Sequence, residues 1–371
     1  MTGGGSGGHF YPIIAIAEQI RKLMRERKLL DAEIFYMAPE PFDNNALIEN
    51  NIVFRPNAAG KVRRYFSFLN FIDVFKTGWG IVKAVFQVFS IYPDIIFGKG
   101  GYGSLPALVA GKLFRIPVVI HESDSVPGKV NAWAGKFAEK VAISFPEASD
   151  YFPEGKTALT GNPIRKELMT VSKSGAHEFL DIDQNIPTIL ILGGSMGSQT
   201  INDTIIDVLP ELVKKFQIIH QTGKNNFKVV KETANLVLQD SQFKNRYKVF
   251  DFLNILGMRM AAGAGNLIIS RAGSTIFEIA NWGIPSILIP ITDSNGDHQR
   301  KNAFSYERSG ACIVIEEKNL APHVLLSEIN KLMENSDLLE KMKAGAKSFA
   351  KPNASELIAN EIIEIALKHE K

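Results

Sequence analysis

Two hydrophobic patterns alternate along the chain. Short, unbroken apolar runs recur, and between them lie longer stretches in which apolar residues return every three or four positions. The runs predict strands buried on both faces and the longer stretches predict helices covering them, so the expected class is α/β with parallel sheets. The predicted strands are Ala32–Met37, Ile95–Phe97, Val118–His121, Thr188–Leu192, Gln217–Gln221, Leu267–Ser270 and Ser286–Pro290. Most end in glycine, serine or another polar residue, and ligands of such folds gather at those carboxyl ends.

The halves echo each other. Asp94-IIFGKGGYGSLPALVAGKLFRIPVVI-His121 and Asn266-LIISRAGSTIFEIANWGIPSILIP-290 each read strand, glycine-rich turn, helix, Ile-Pro, strand. GGGSGG at the start likewise has a counterpart in GGSMGSQTIN at 193–202. Two similar doubly wound domains produce such an echo, with the join within 155–187 and a ligand cleft expected between them. The length of 371 residues also exceeds one ordinary core. Only Met1 and Thr2 precede the first glycine run. A phosphate loop normally follows a strand, so either the true start lies upstream or this sheet lacks its usual first strand. After the run, Pro12–Ile20 predicts a helix with proline in its first turn.

Composition narrows the chemistry. A net charge of +3 does not call for nucleic acid, and the single cysteine, Cys312, excludes an internal disulfide framework and suits a reducing compartment. No signal peptide or spanning run is visible. Glycine turns feeding helix N-termini are anion sites, and two of them suggest two phosphorylated ligands or one that spans both. GGSMGS lacks strict G-x-G-x-x-G spacing, so a nicotinamide dinucleotide is not the expected ligand. In Arg271-AGSTIF-Glu278, Ser274 and Thr275 suit helix capping and phosphate contact, and Glu278 suits the hydroxyls of a ribose. Gly296-DHQRK-Asn302 offers amides and charges to sugar hydroxyls. Arg165, in GNPIR, suits a base or phosphate. His9 directly follows the first glycine run and suits proton abstraction or pyrophosphate contact. His121-Glu122-Ser123-Asp124 ends a buried strand and brings further polar groups. No metal-ligand spacing and no nucleophile elbow are present.

The stretch 60–93 holds nine of the chain's 35 aromatics, with Lys61, Arg63, Arg64, Lys76 and Lys83 opposed only by Asp73. Phe68, Phe71, Ile72, Phe75 and Trp79 recur at helical spacing. Aromatics on more than one side with basic flanks predict a helix pair resting in a membrane interface, contacting the membrane through 61–92.

Taken in order, GGGSGGH, GKGGYGS, HES/D, GNPIR, GGSMGS, RAGSTIFE and DHQRKNA span nearly the whole chain. This set resembles the MurG family of glycosyltransferase family 28. The resemblance implies a glycosyltransferase-B fold, with two Rossmann-like domains facing across a cleft. An acceptor-side domain would cover 1–163 and a UDP-sugar domain 164–349, with 350–371 a helix packing back on the first. It implies an inverting, metal-independent and cofactor-free transfer of N-acetylglucosamine from UDP-N-acetylglucosamine to an undecaprenyl-diphosphate-linked muramoyl-pentapeptide. The place of action would be the cytoplasmic face of the cell membrane. By the same resemblance Arg165 and Ser195 contact the nucleotide and Leu253 meets the uracil edge through its backbone. Ser274, Thr275 and Glu278 take the phosphates and ribose, and Gln299 takes the sugar hydroxyls. Ser6, Gly7 and Gly8 fall in the acceptor-diphosphate loop, with His9 as first base and Asp124 or Glu122 next. The family carries asparagine where Asp124 stands, and its loop before the ribose glutamate is one residue longer. Other readings on the same fold are a diacylglycerol glycosyltransferase and a UDP-N-acetylglucosamine 2-epimerase. A third is a non-catalytic, membrane-bound nucleotide-sugar module.

Overall fold

Residues 1–60, 68–194 and 196–369 are described by a computed structural model, in which the chain divides into two units. One is Met1–Arg165 with Lys351–Lys371, the other Lys166–Ala350. In the first, β1 (Ile34–Ala38) pairs in parallel with β2 (Ile52–Pro56). The strands β3 (Ile96–Gly98), β4 (Val118–Glu122), β5 (Lys140–Ile143) and β6 (Thr157–Leu159) form a second parallel ladder in that order. Thr2 joins the two ladders by bridging Met37 on one side and Gly98 on the other. Its N–H donates to the Phe97 carbonyl at 2.8 Å, and its own carbonyl accepts from Lys99 N–H at 2.9 Å. The strand expected to be missing is therefore present in a form reduced to Met1–Thr2. Thr2 is the centre from which strand order runs outward in both directions.

The second unit is one six-stranded parallel sheet. Its strands are β7 (Thr188–Leu192), β8 (Gln217–Gln221), β9 (Tyr247–Phe250), β10 (Gly265–Ser270), β11 (Ser286–Leu288) and β12 (Cys312–Val314), ordered β12-β11-β10-β7-β8-β9. Order reverses between β7 and β10, as it reverses between Thr2 and β3 in the first unit. These are Rossmann-type switch points, where the connections leave on opposite faces and open a crevice. All four glycine turns of the sequence leave strands that flank a switch point. The predicted strands are all found, within a few residues. The predicted strands leave out β2, β5, β6, β9 and β12: all but β5 stand at sheet edges, and β5 is only four residues long and begins at an exposed lysine.

Both faces of each sheet are covered. Ile189, Ile191, Leu267 and Ile269 pack to one side, and Leu190, Leu192 and Ile268 to the other. The N-terminal sheet divides in the same way, Phe97 and Val119 against Ile96, Val118 and Ile120. The last helix, Ala354–His369, packs on the first through Ile358, Ala359, Ile362 and Ile363.

The first helix corrects the sequence expectation. It runs Gly7–Glu26, so Gly7, Gly8 and His9 lie in its first turn and Pro12 in its second. A proline so near the start removes only one ladder hydrogen bond, which an enclosed apolar face (Phe10, Ile13, Ile14, Ile16) outweighs. Among the described residues the aromatic segment is one continuous helix, Phe68–Ile91, rather than a pair. Ala84 and Val88 pack inward with the helix Leu105–Phe114, whereas Phe71, Ile72, Phe75, Trp79, Phe86 and Phe89 are exposed. Lys61, Arg63 and Arg64 lie outside the described residues. A cavity of about 480 Å³, lined by Met24, Ile34, Phe35, Tyr92 and Ile362 among others, sits at the amino ends of β1 and β3. The glycine turns lie at the other ends of these strands.

Candidate active site

The N-terminal unit builds its site from two interlocked glycine turns. Gly5, Gly100 and Gly101 have φ of +97°, +87° and +79°, a region that side-chain-bearing residues avoid. A Cβ on Gly101 would lie 2.5 Å from the Gly4 carbonyl oxygen, and one on Gly103 would lie 2.9 Å from Pro39 Cδ and 3.0 Å from the Gly3 oxygen. Much of the glycine content is thus spent on letting two turns touch each other. Ser6 starts the first helix in extended conformation, but its hydroxyl does not cap the backbone. Instead Ser6 Oγ and His9 Nδ1 lie 2.9 Å apart. The imidazole is recessed: burial and the nearby Lys99 charge lower its pKa to about 4, while Asp124 acts in the opposite sense.

β4 delivers His121 and Glu122, both buried. His121 Nε2 lies 2.9 Å from the Gly161 carbonyl and 3.2 Å from Ser144 Oγ. Glu122 Oε1 accepts from Asp124 N–H at 3.0 Å, and Oε2 accepts from Gly128 N–H at 3.1 Å and Asn131 Nδ2 at 2.9 Å. Burial, and then the Asp124 charge, raise the Glu122 carboxyl to about 7, against the pull of Asn131 and Lys99. With both oxygens accepting from the 124–131 segment, Glu122 folds the loop that presents Asp124. Arg165 belongs to this unit, its guanidinium 3.9 Å from the Tyr11 ring centre, and the Tyr11 hydroxyl donates to Asp43 at 3.3 Å. Sequence reasoning assigned no role to Lys99 or Asn131. A lysine after a strand and an asparagine in a helix carry no signal until burial is known.

In the C-terminal unit Ser198 caps the helix Gln199–Lys215. Gly197, at φ +77°, passes so close to the Thr222 carbonyl that a Cβ would sit 2.0 Å from its oxygen. Ser195 lies outside the described residues. Gln221, ending β8, accepts from Leu253 N–H at 2.9 Å, so a backbone contact from Leu253 to a base would fall to its carbonyl. Ser274 and Thr275 open the helix Thr275–Trp282 after β10, but Ser274 makes no side-chain cap, contrary to expectation. It is in the helical region (φ −61°), where the hydroxyl cannot reach back as an extended cap residue can. Glu278 is half-buried in the first turn of that helix. Gln299 Oε1 accepts from Ile291 N–H at 3.2 Å, which turns its NH₂ the other way.

A strut that the sequence did not reveal ties these loops together. Arg271 donates to Ser198 Oγ at 2.7 Å and to the Ile289 carbonyl at 3.1 Å, and it pairs with Glu317. The other Glu317 oxygen accepts from Thr292 N–H at 3.0 Å and lies 3.2 Å from Thr292 Oγ1. Thus one guanidinium spans the connections after β7, β10 and β11, all at the carboxyl edge of the sheet. Among the described residues no group of three His, Cys, Asp or Glu is arranged to hold a metal ion.

Comparison with known proteins agrees with this architecture. The glycosyltransferase family 28 N-terminal domain matches residues 1–143 and the family 28 C-terminal domain matches 188–358. The chain is 38% identical, over 90% of each sequence, to a UDP-N-acetylglucosamine–N-acetylmuramyl-(pentapeptide) pyrophosphoryl-undecaprenol N-acetylglucosamine transferase of Clostridium novyi. It is 35% identical, over 98% of each, to one of that name numbered 2 in Bacillus thuringiensis. Among solved structures, MurG of Acinetobacter baumannii superposes with a TM-score of 0.73 at 26% identity, covering 98% of both chains. The S. aureus MnaA–UDP co-structure, at 16% identity and a TM-score of 0.70, shares the fold over 99% of this chain and 96% of its own. With paired Rossmann-type units, glycine turns at each switch point and this identity along almost its whole length, the chain belongs to glycosyltransferase family 28 and, within it, to the MurG enzymes.

Proposed function

We propose that the protein transfers N-acetylglucosamine from UDP-N-acetylglucosamine to undecaprenyl-diphospho-N-acetylmuramoyl-pentapeptide, converting lipid I to lipid II in peptidoglycan synthesis. The observation that carries this is 35–38% identity to transferases of that name over 90–98% of the chain. The C-terminal unit holds the donor. Helix N-termini after β7 and β10 face the diphosphate, Ser274 and Thr275 line its approach, Glu278 takes the ribose hydroxyls and the Gln299 amide a sugar hydroxyl. The N-terminal unit holds the acceptor diphosphate at Ser6, Gly7 and Gly8, in the first turn of a 20-residue helix.

In the reaction the acceptor hydroxyl attacks the anomeric carbon on the side opposite UDP. The bond from that carbon to the β-phosphate oxygen breaks, and the configuration inverts. His9 Nε2 receives the hydroxyl proton. That requires the tautomer in which Nδ1–H donates to Ser6 Oγ, the contact at 2.9 Å. Burial keeps the imidazole unprotonated in the free protein. A bound diphosphate raises its basicity toward the range a general base needs. Asp124 is the next candidate. Glu122 is better suited to holding the Asp124 loop, since both its oxygens are engaged.

The assay is UDP release from UDP-N-acetylglucosamine with and without a polyprenyl-diphosphate muramoyl acceptor. Acceptor-dependent release with one N-acetylhexosamine added to the lipid is expected. Release or epimerisation without acceptor points to the 2-epimerase reading, and UDP binding with no transfer to any acceptor points to a silent module. His9→Ala is expected to lower kcat by ~100-fold or more with UDP binding intact. An unchanged rate removes His9 from the role.

We also propose that the exposed side of Phe68–Ile91 rests on the cytoplasmic membrane surface. Phe75 and Trp79 are 64% and 66% exposed, with Lys76 beside them. Aromatic rings at the acyl boundary with cations at the headgroups suit a helix that lies on a bilayer. No helix among the described residues is long and apolar enough to cross a membrane.

A further inference from the structure

Lys99 follows β3, and its N–H is bonded to Thr2. Its side chain is 1% exposed, and among the described residues Nζ has no hydrogen-bond partner. A buried ammonium without an acceptor is a rare arrangement, and it calls for a reason. The stem starts against the first glycine turn, since a Cβ on Gly3 would lie 3.3 Å from Lys99 Cβ. The charge couples to four ionisable groups around the turn. His9 comes from the first helix, His121 and Glu122 from β4 and Asp124 from the loop after it. The Tyr36 and Tyr102 phenols belong to the same surroundings.

The charge count is lopsided. Two carboxyl groups face one ammonium, and Glu122, raised to about 7, leaves Asp124 as the standing negative charge beside neutral imidazoles. An acidic residue at 124, close enough to act on His9, is also misplaced for a protein that must receive an anionic diphosphate beside that imidazole. We propose that Lys99 is a positioning residue, whose enclosed ammonium is the counter-charge that lets an acidic residue stand at position 124 without repelling the acceptor diphosphate. The inference rests on the acceptor reading of this unit. It follows that positions 99 and 124 act as a pair, and that removing one charge is tolerated best when the other goes too. Burial and the Lys99 charge together hold His9 unprotonated, so withdrawing that charge lets His9 take up its proton at higher pH.

The test is a cycle of Lys99→Met, Asp124→Asn and the double variant. Lys99→Met is expected to raise KM for the lipid acceptor about tenfold and to move the acidic limb of the kcat/KM profile up by about one pH unit, an ordinary shift for a charge at this range. The double variant is expected to return both to within about threefold of Asp124→Asn alone. An unmoved limb in Lys99→Met, or a double variant as impaired as Lys99→Met, overturns the proposal. A second readout needs no turnover: the NMR titration of the His9 imidazole moves to higher pH in Lys99→Met. If that midpoint stays put, the coupling is absent, whether or not the wild type transfers sugar. A wild type that transfers nothing to a polyprenyl-diphosphate acceptor, with the midpoint still moving, instead refutes the function.

Discussion

His121 and His220 are imidazoles that folding removes from water, and His9 is half-buried. His220 lies between Tyr247 Oη at 2.9 Å and Asn202 Oδ1 at 3.0 Å, and burial lowers its pKa to about 3. His121 is pushed well below its usual value, chiefly by burial, and His9 to about 4. An unfolded chain protonates histidine near pH 6.5. As pH falls from there toward 4 the unfolded state gains protons that the fold refuses, so stability is lost on acidification. Glu122 works the other way. Its pKa, raised to about 7, makes it a stabilising neutral acid at low pH, and that contribution is lost as pH rises from about 4.5 through 7. Between pH 4.5 and 6.5 three imidazoles oppose one carboxyl, at ~1.4 kcal/mol per group and pH unit. The midpoint of urea unfolding is therefore expected to fall between pH 6.5 and 5, and His220→Asn to flatten that slope. An equal slope in the variant would contradict the assignment.

At the scale of elements, the loops proposed to hold the donor are held by long-range polar ties. Arg271 and Glu317 sit 46 positions apart, and no spacing rule pairs them. The guanidinium reaches three acceptors from one planar fork, which an ammonium cannot reproduce. Arg271→Lys is expected to weaken UDP binding by about tenfold, ~1.4 kcal/mol, while the unit stays folded. Calorimetric titration with UDP checks this, and wild-type affinity in the variant would show that the loops hold their shape without the fork. The glycine turns, by contrast, were legible as turns from composition. What could not be read is that Gly101 and Gly103 are glycine because another turn lies against them.

For the molecule as a whole, the helix Phe68–Ile91 leaves a row of aromatic side chains that the fold does not cover. An apolar row of this length on the surface marks an interaction site rather than ordinary scatter. Replacing Phe75 and Trp79 together by glutamate is expected to reduce sedimentation with anionic phospholipid vesicles by about tenfold or more. UDP affinity should be unaltered, because the proposed donor loops belong to the other unit. Vesicle binding equal to wild type would move the membrane contact elsewhere. The helical spacing of these aromatics was visible in the chain. Which of them face outward was not, because the spacing fits a buried stripe equally well.

The sequence alone determined the class of fold, most strands, the glycine turns and the family, because these rest on local periodicity and on motifs read in order. Only the tertiary structure decided that Thr2 completes the first sheet, that the first helix begins at Gly7, and that Lys99 is enclosed with no hydrogen-bond partner among the described residues. It also decided that one arginine joins three loops. Each of these depends on which distant residues pack together. Burial and long-range hydrogen bonding have no fixed spacing along a chain.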